Sequence, residues 1–160
     1  MSWSLKQAMD RLGLHKTNFK ESDIMLILLQ GANVDDVHGY NKGSAIAVNP
    51  HSEFAAAAGF HELGHAVLMH TMRNRAVSDR DECLAEMEAC ATSILCLREL
   101  GGSGIEPMRK QYKHHRDIWA VHEEALPADF KERVNWAARR IIDAGRTVTH
   151  SPCPKSGQYR

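Results

Sequence analysis

The chain has 160 residues, enough for one domain with its own core, and its 43% hydrophobic and 25% charged content is ordinary for a globular protein. Lys plus Arg and Asp plus Glu number 20 each, with eight of each sign in residues 1–80 and twelve of each in 81–160, so neither half is a polybasic arm for nucleic acid or an anionic membrane. No apolar run approaches the length of a bilayer span, and the start Met1-Ser2-Trp3-Ser4-Leu5-Lys6 lacks the basic and apolar regions of a secretory signal, which makes a cytoplasmic protein the expectation.

Ser4-Leu5-Lys6-Gln7 has the form of a capping box, and Leu5, Ala8, Met9 and Leu12 follow at helical spacing until Gly13, predicting a short amphipathic helix. The run Ile24-Met25-Leu26-Ile27-Leu28-Leu29 is apolar throughout and ends at Gly31; periodicity does not separate a buried strand from a buried helix there, and a strand is the reading preferred. Val34 to Tyr40 leads into Asn41-Lys42-Gly43-Ser44, which is turn chemistry, and then into Ala45-Ile46-Ala47-Val48, a strand stopped by Pro50. These residues predict a hairpin. Followed by a helix, its strand can lie beside a cleft and offer an open edge to an extended peptide.

The segment from Phe54 to His70 reads as that helix, and within it stands His61-Glu62-Leu63-Gly64-His65. Residues four apart share a helix face, so both imidazoles can reach one metal ion, while Glu62 is positioned to act as a general base on water. Gly64 removes a side chain where a second backbone or a substrate can approach. Arg73 to Arg80 is polar and reads as a reversing loop. A third helix is expected from about Asp81 to Leu100, stopped by Gly101-Gly102. Pro107 suits the first turn of a fourth helix, along which Met108, Tyr112, His115, Trp119 and His122 repeat at four-three spacing. Pro127 opens a fifth, with Phe130, Val134, Ala137, Ala138, Ile141 and Ile142 on one side and Gly145 past its end. Cys83, Cys90, Cys96 and Cys153 form no CxxC pair; the first three fall in the third helix as small buried hydrophobes, and no disulfide is expected.

Two His leave a catalytic zinc site one protein ligand short. The third helix offers Glu82, Glu86 and Glu88. Glu86 and Glu88 point about 200° apart on a helix, so only one of them can face the ion, and the other is expected to be a surface carboxylate. The residues themselves leave the choice open.

An HExxH helix followed by an acidic helix resembles the gluzincin group of metallopeptidases, in which a Glu of the second helix is the third ligand. More narrowly, Glu82-Cys83-Leu84-Ala85-Glu86 and Glu99-Leu100-Gly101 are similar to the metallopeptidase domain of ArdC-type antirestriction proteins of mobile elements, where an Ala-Glu pair supplies the ligand, and this resemblance implies Glu86. The hairpin, Phe60-His61-Glu62-Leu63-Gly64-His65 and His70 are similar to ImmA/IrrE-type peptidases, whose pattern implies Glu88 of Glu88-Ala89 instead. Glu86 is the expected ligand. The implied fold is α+β, a mostly helical, zincin-like domain over residues 1–150 with a small antiparallel sheet or hairpin before the HExxH helix, and 151–160 as a flexible tail. The residues before His61 do not match the single-stranded-DNA-binding domain of ArdC-type proteins, so a peptide or protein is the expected partner rather than nucleic acid.

The resemblance thus implies a phage or mobile-element metallopeptidase with Zn²⁺ held by His61, His65 and Glu86. Glu62 would be the general base, and His115 would be the donor to the developing oxyanion, with Tyr112 and His122 on the same helix as other candidates. His70 is expected behind the ligands rather than among them, and Asp79 or Glu82 as acceptors for an imidazole N–H. The alternative is a non-catalytic zincin-like regulator or antirestriction factor that binds a protein or single-stranded DNA. Glu62 weighs against it, because a purely structural site has no use for a base.

Overall fold

The structure, a computed structural model, describes residues 2–20, 38–70, 79–122 and 125–147. The strand expected at Ile24-Met25-Leu26-Ile27-Leu28-Leu29, the residues Val34 to Val37, most of the reversing loop, Cys153 and the tail lie outside the described residues.

Local chemistry sets the first helix. α1 (Leu5–Leu12) starts where the Gln7 backbone N–H donates to Ser4 Oγ at 3.3 Å and stops where Gly13 takes a left-handed φ of 71°. Its buried Ala8 and Met9 face α5 (Phe130–Gly145), and the two helices are tied where Ser4 N–H donates to the Gly145 carbonyl at 2.9 Å.

Three short strands follow α1: β1 (His15–Lys16), β2 (Gly39–Lys42) and β3 (Ala45–Val48). The hairpin forms as predicted, with Gly39 opposite Val48 and Lys42 opposite Ala45. The sheet is mixed rather than antiparallel throughout, because β1 joins β3 in parallel and gives the order β1-β3-β2. Both residues of β1 are exposed, so the sequence carries no alternation there to read.

Among the described residues four longer helices make the fold a mostly helical α+β one: α2 (Ala55–Val67), α3 (Asp79–Leu100), α4 (Ile105–His122) and α5. α3 begins two residues before the expected Asp81, and Gly145 is the last residue of α5 rather than one beyond it. α5 buries Phe130, Val134, Ala137, Ala138, Ile141 and Ile142, as the spacing predicts. α3 packs against α2, α4 and α5. Its consecutive residues Met87, Glu88, Ala89 and Cys90 are all buried, and four successive positions point all round a turn of 3.6 residues, so this part of α3 is enclosed on every side.

One apolar cluster gathers Met9, Ile46, Phe60, Leu63, Leu97 and Ile141, and a second gathers Cys83, Met87, Trp119, Phe130 and Val134. α3 contributes to both and presents Ala89, Cys90, Thr92 and Ser93 to α2 between them. Cys83, Cys90 and Cys96 are buried thiols outside any disulfide. Among the described residues, no helix is long and apolar enough to cross a membrane.

Candidate metal centre

One turn of α2 separates His61 from His65, and their Nε2 atoms lie 2.9 Å apart on its inner face. Glu86 comes from α3, with Oε2 3.2 Å from His61 Nε2 and Oε1 3.3 Å from His65 Nε2. α3 comes this close because position 64 is glycine: a Cβ there would lie 3.2 Å from Ala89 Cα, nearly one helical turn beyond Glu86.

These three side chains bring one donor atom each within 4.8 Å of one another. A tetrahedral ion with bonds of about 2.0–2.1 Å holds its ligand atoms about 3.3 Å apart, so the observed spacing suits a small divalent cation. Two imidazole nitrogens and one carboxylate oxygen are also the protein donor set of an open zinc site. Burial pushes the Glu86 carboxyl up, but hydrogen bonds and charge from both imidazoles outweigh it and hold the group well below the usual carboxylate range. Burial pushes His65 down, and its bond to Glu86 together with the charges of Glu86, Glu62 and Glu88 raises it on balance.

Glu62 is 7% exposed beside these ligands. Burial raises its carboxyl above the ordinary range against the opposing pull of His61 and His65, and Glu86 adds to the rise. The hairpin closes over it. A Cβ at Gly39 would stand 3.1 Å from Glu62 Cγ and 2.9 Å from the Ala47 carbonyl oxygen, so β2 approaches Glu62 as backbone alone. Asn41 Nδ2 donates to the Glu62 backbone carbonyl at 3.2 Å and ties β2 to α2.

Behind the imidazoles the two outward nitrogens meet different neighbours. His61 Nδ1 faces Cys90 Sγ at 3.6 Å, where burial, reinforced by the charges of Glu86 and Glu62, pushes the thiol up and keeps it protonated. His65 Nδ1 faces His70 Nδ1 at 2.9 Å, and His70 Nε2 lies 2.8 Å from Glu88 Oε2. Met69 makes this return possible by adopting a φ of 59° just past α2. Burial lowers the His70 pKa on balance, although the bond to Glu88 opposes it. Arg133 of α5 closes the chain, donating from Nε to Glu88 Oε1 at 2.6 Å and from Nη2 to Oε2 at 3.0 Å.

This corrects one expectation. Glu88 is not a surface carboxylate but is 2% exposed. Burial alone would raise its pKa; the bonds from His70 and Arg133 lower it instead. His70 stands behind His65, as expected, but the group behind His61 is Cys90, and Glu82, expected as an acceptor for an imidazole N–H, is exposed. The side chains of Asp79 and His122 lie outside the described residues.

α4 flanks the remaining side. His115 Nε2 is 3.9 Å from Glu86 Oε2, beside the centre but beyond hydrogen-bond reach, and His115 Nδ1 is buried with no partner among the described residues. Burial lowers its pKa and favours the neutral ring, against the pull of Glu86. Tyr112 packs on Phe130 with ring centres 6.5 Å apart. Sequence reasoning missed Gly39, Asn41, Cys90 as a neighbour of His61, Gln111, whose Nε2 donates to Glu86 Oε2 at 3.5 Å, and Arg133. Arg133 carried a signal: it stands three residues after Phe130 and four before Ala137, a cation on the apolar stripe of α5.

Comparison with family models, with curated proteins and with solved structures finds no match.

Proposed function

We propose that this chain is a zinc-dependent, zincin-like metallopeptidase in which His61, His65 and Glu86 hold Zn²⁺ and Glu62 is the general base. The observation that carries the reading is the convergence of two carboxylates, Glu62 and Glu86, on two imidazoles in a buried centre. Buried negative charge is costly without a compensating cation, and among the described residues the groups in ion-pair geometry with Glu86 are imidazoles rather than a fixed cation. When bound, the ion supplies a Lewis acid that polarises a carbonyl and makes water easier to deprotonate.

The chain supplies the remaining work. Glu62, made more basic by burial, takes the proton of the attacking water and returns it to the leaving amine. Among the described residues β2 is an edge strand of the sheet, and it meets Glu62 at Gly39, so an extended peptide paired along β2 brings its carbonyl next to the base. His115, with a neutral ring beside Glu86, is the donor for charge developing on that carbonyl oxygen.

Glu62→Gln tests the reading, because the amide keeps the shape but accepts no proton. Zinc content should stay at the wild-type level while cleavage of a peptide library falls by about a hundredfold or more. A chelator-sensitive cleavage that survives Glu62→Gln at full rate assigns the water to another residue and defeats this mechanism.

A further inference from the structure

We propose that His70 and Glu88, anchored by Arg133, are positioning residues of the metal centre: together they fix the ring orientation and tautomer of His65 so that its Nε2 is presented bare to a divalent cation. The inference rests on the reading of His61, His65 and Glu86 as ligands and extends it to a different helix, α5.

Hydrogen-bond logic gives the chain one direction. Arg133 only donates, and its two contacts engage both oxygens of Glu88. An ionised Glu88 only accepts, so the 2.8 Å contact to His70 requires the proton on His70 Nε2. A neutral His70 then offers a lone pair at Nδ1, and the 2.9 Å contact requires the proton on His65 Nδ1. His65 Nε2, the atom that faces Glu86 at 3.3 Å, is left with its lone pair free for a metal. Each link follows from the one before it.

The opposite imidazole lacks such a chain. Among the described residues His61 Nδ1 meets the thiol of Cys90, a weak partner, so His65 is the ligand whose geometry is fixed by charge. A purely structural Glu88–Arg133 pair would also have no need of His70. The protein instead brings His70 back onto His65 through a left-handed Met69, an unfavourable conformation for a residue with a Cβ.

Titration of Zn²⁺ against a chromophoric chelator, in wild type and variants whose melting curves show them folded, tests the proposal. Glu88→Leu should weaken zinc binding about 10–100-fold, the range for loss of a group that orients a metal ligand. Glu88→Gln keeps an acceptor oxygen and should recover part of that loss. Arg133→Lys should bind more tightly than Arg133→Met. Wild-type zinc affinity in folded Glu88→Leu, even with a lowered melting temperature, would make the cluster a structural ion pair and overturn the proposal. Long-range ¹H–¹⁵N correlation on the zinc-loaded wild type needs no variant to fold: it should find the proton on Nε2 of His70 and on Nδ1 of His65, and the opposite tautomer at His70 overturns the proposal. Failure of the wild type to take up zinc is a separate outcome, which removes the ligand reading and the relay with it.

Discussion

Glu86 and Glu88 stand two residues apart on α3, about 200° from each other round the helix, and the protein closes the two sides of that turn by different means. Glu88 is buried and Glu86 partly buried, and Glu86 faces imidazoles from α2 and α4, whereas Glu88 is gripped through both oxygens by a guanidinium that belongs to the chain. A carboxylate saturated by a tethered cation has no capacity left for an ion. One faced by imidazoles keeps that capacity, and it shares its site with Glu62. Burial alone therefore does not distinguish a ligand from a strut; the identity of the counter-charge does.

The sharpest way to break this comparison is Glu86→Gln, which should abolish stoichiometric zinc binding, whereas Glu88→Leu only weakens it; elemental analysis of both after zinc loading makes the contrast. Next in size is Arg133→Met, which leaves Glu88 buried with His70 alone. Removing one partner of a fully buried pair costs about 3–5 kcal/mol, and since the Arg133 side chain is 34% exposed a smaller loss of about 1–3 kcal/mol is expected in denaturant unfolding. Gly64→Ala acts on the approach of the helices. Overpacking costs about 1–3 kcal/mol and is partly offset by the helix preference of Ala, about 1 kcal/mol, so a modest net destabilisation accompanied by weaker zinc binding is expected in paired melts and titrations. Smallest is Ser4→Ala, which removes the cap of α1 at about 1 kcal/mol and should leave zinc affinity unchanged, marking the effects at Glu86 of α3, Gly64 of α2 and Arg133 of α5 as local to the contacts around the Glu86–Glu88 turn.

What was legible in the sequence was whatever local chemistry decides. Ser4 and Gly13 bound α1, Gly43 with φ 66° turns the hairpin, and the apolar spacing from Phe130 to Ile142 marks α5. His61, Glu62 and His65 were legible because one turn of one helix carries all three. Which carboxylate of α3 faces the two imidazoles was not, since α3 is enclosed around Glu88 and its apolar pattern favours no side. That choice is made by the register of α3 against α2 at Gly64 and Ala89, a tertiary contact. The chain behind His65 depends on Arg133, 45 residues from Glu88, and only its misplaced charge on the α5 stripe hinted at it. β1 gave no signal because two exposed residues have no period.

The central claim is that the turn of α3 carrying Glu86, together with His61 and His65, is a zinc centre. Elemental analysis of the purified, zinc-loaded protein beside a His61→Ala, His65→Ala double variant tests it most directly. The account predicts about one zinc per chain in the wild type and none above background in the double variant. Equal metal in the two proteins, whether one ion or none, would contradict it.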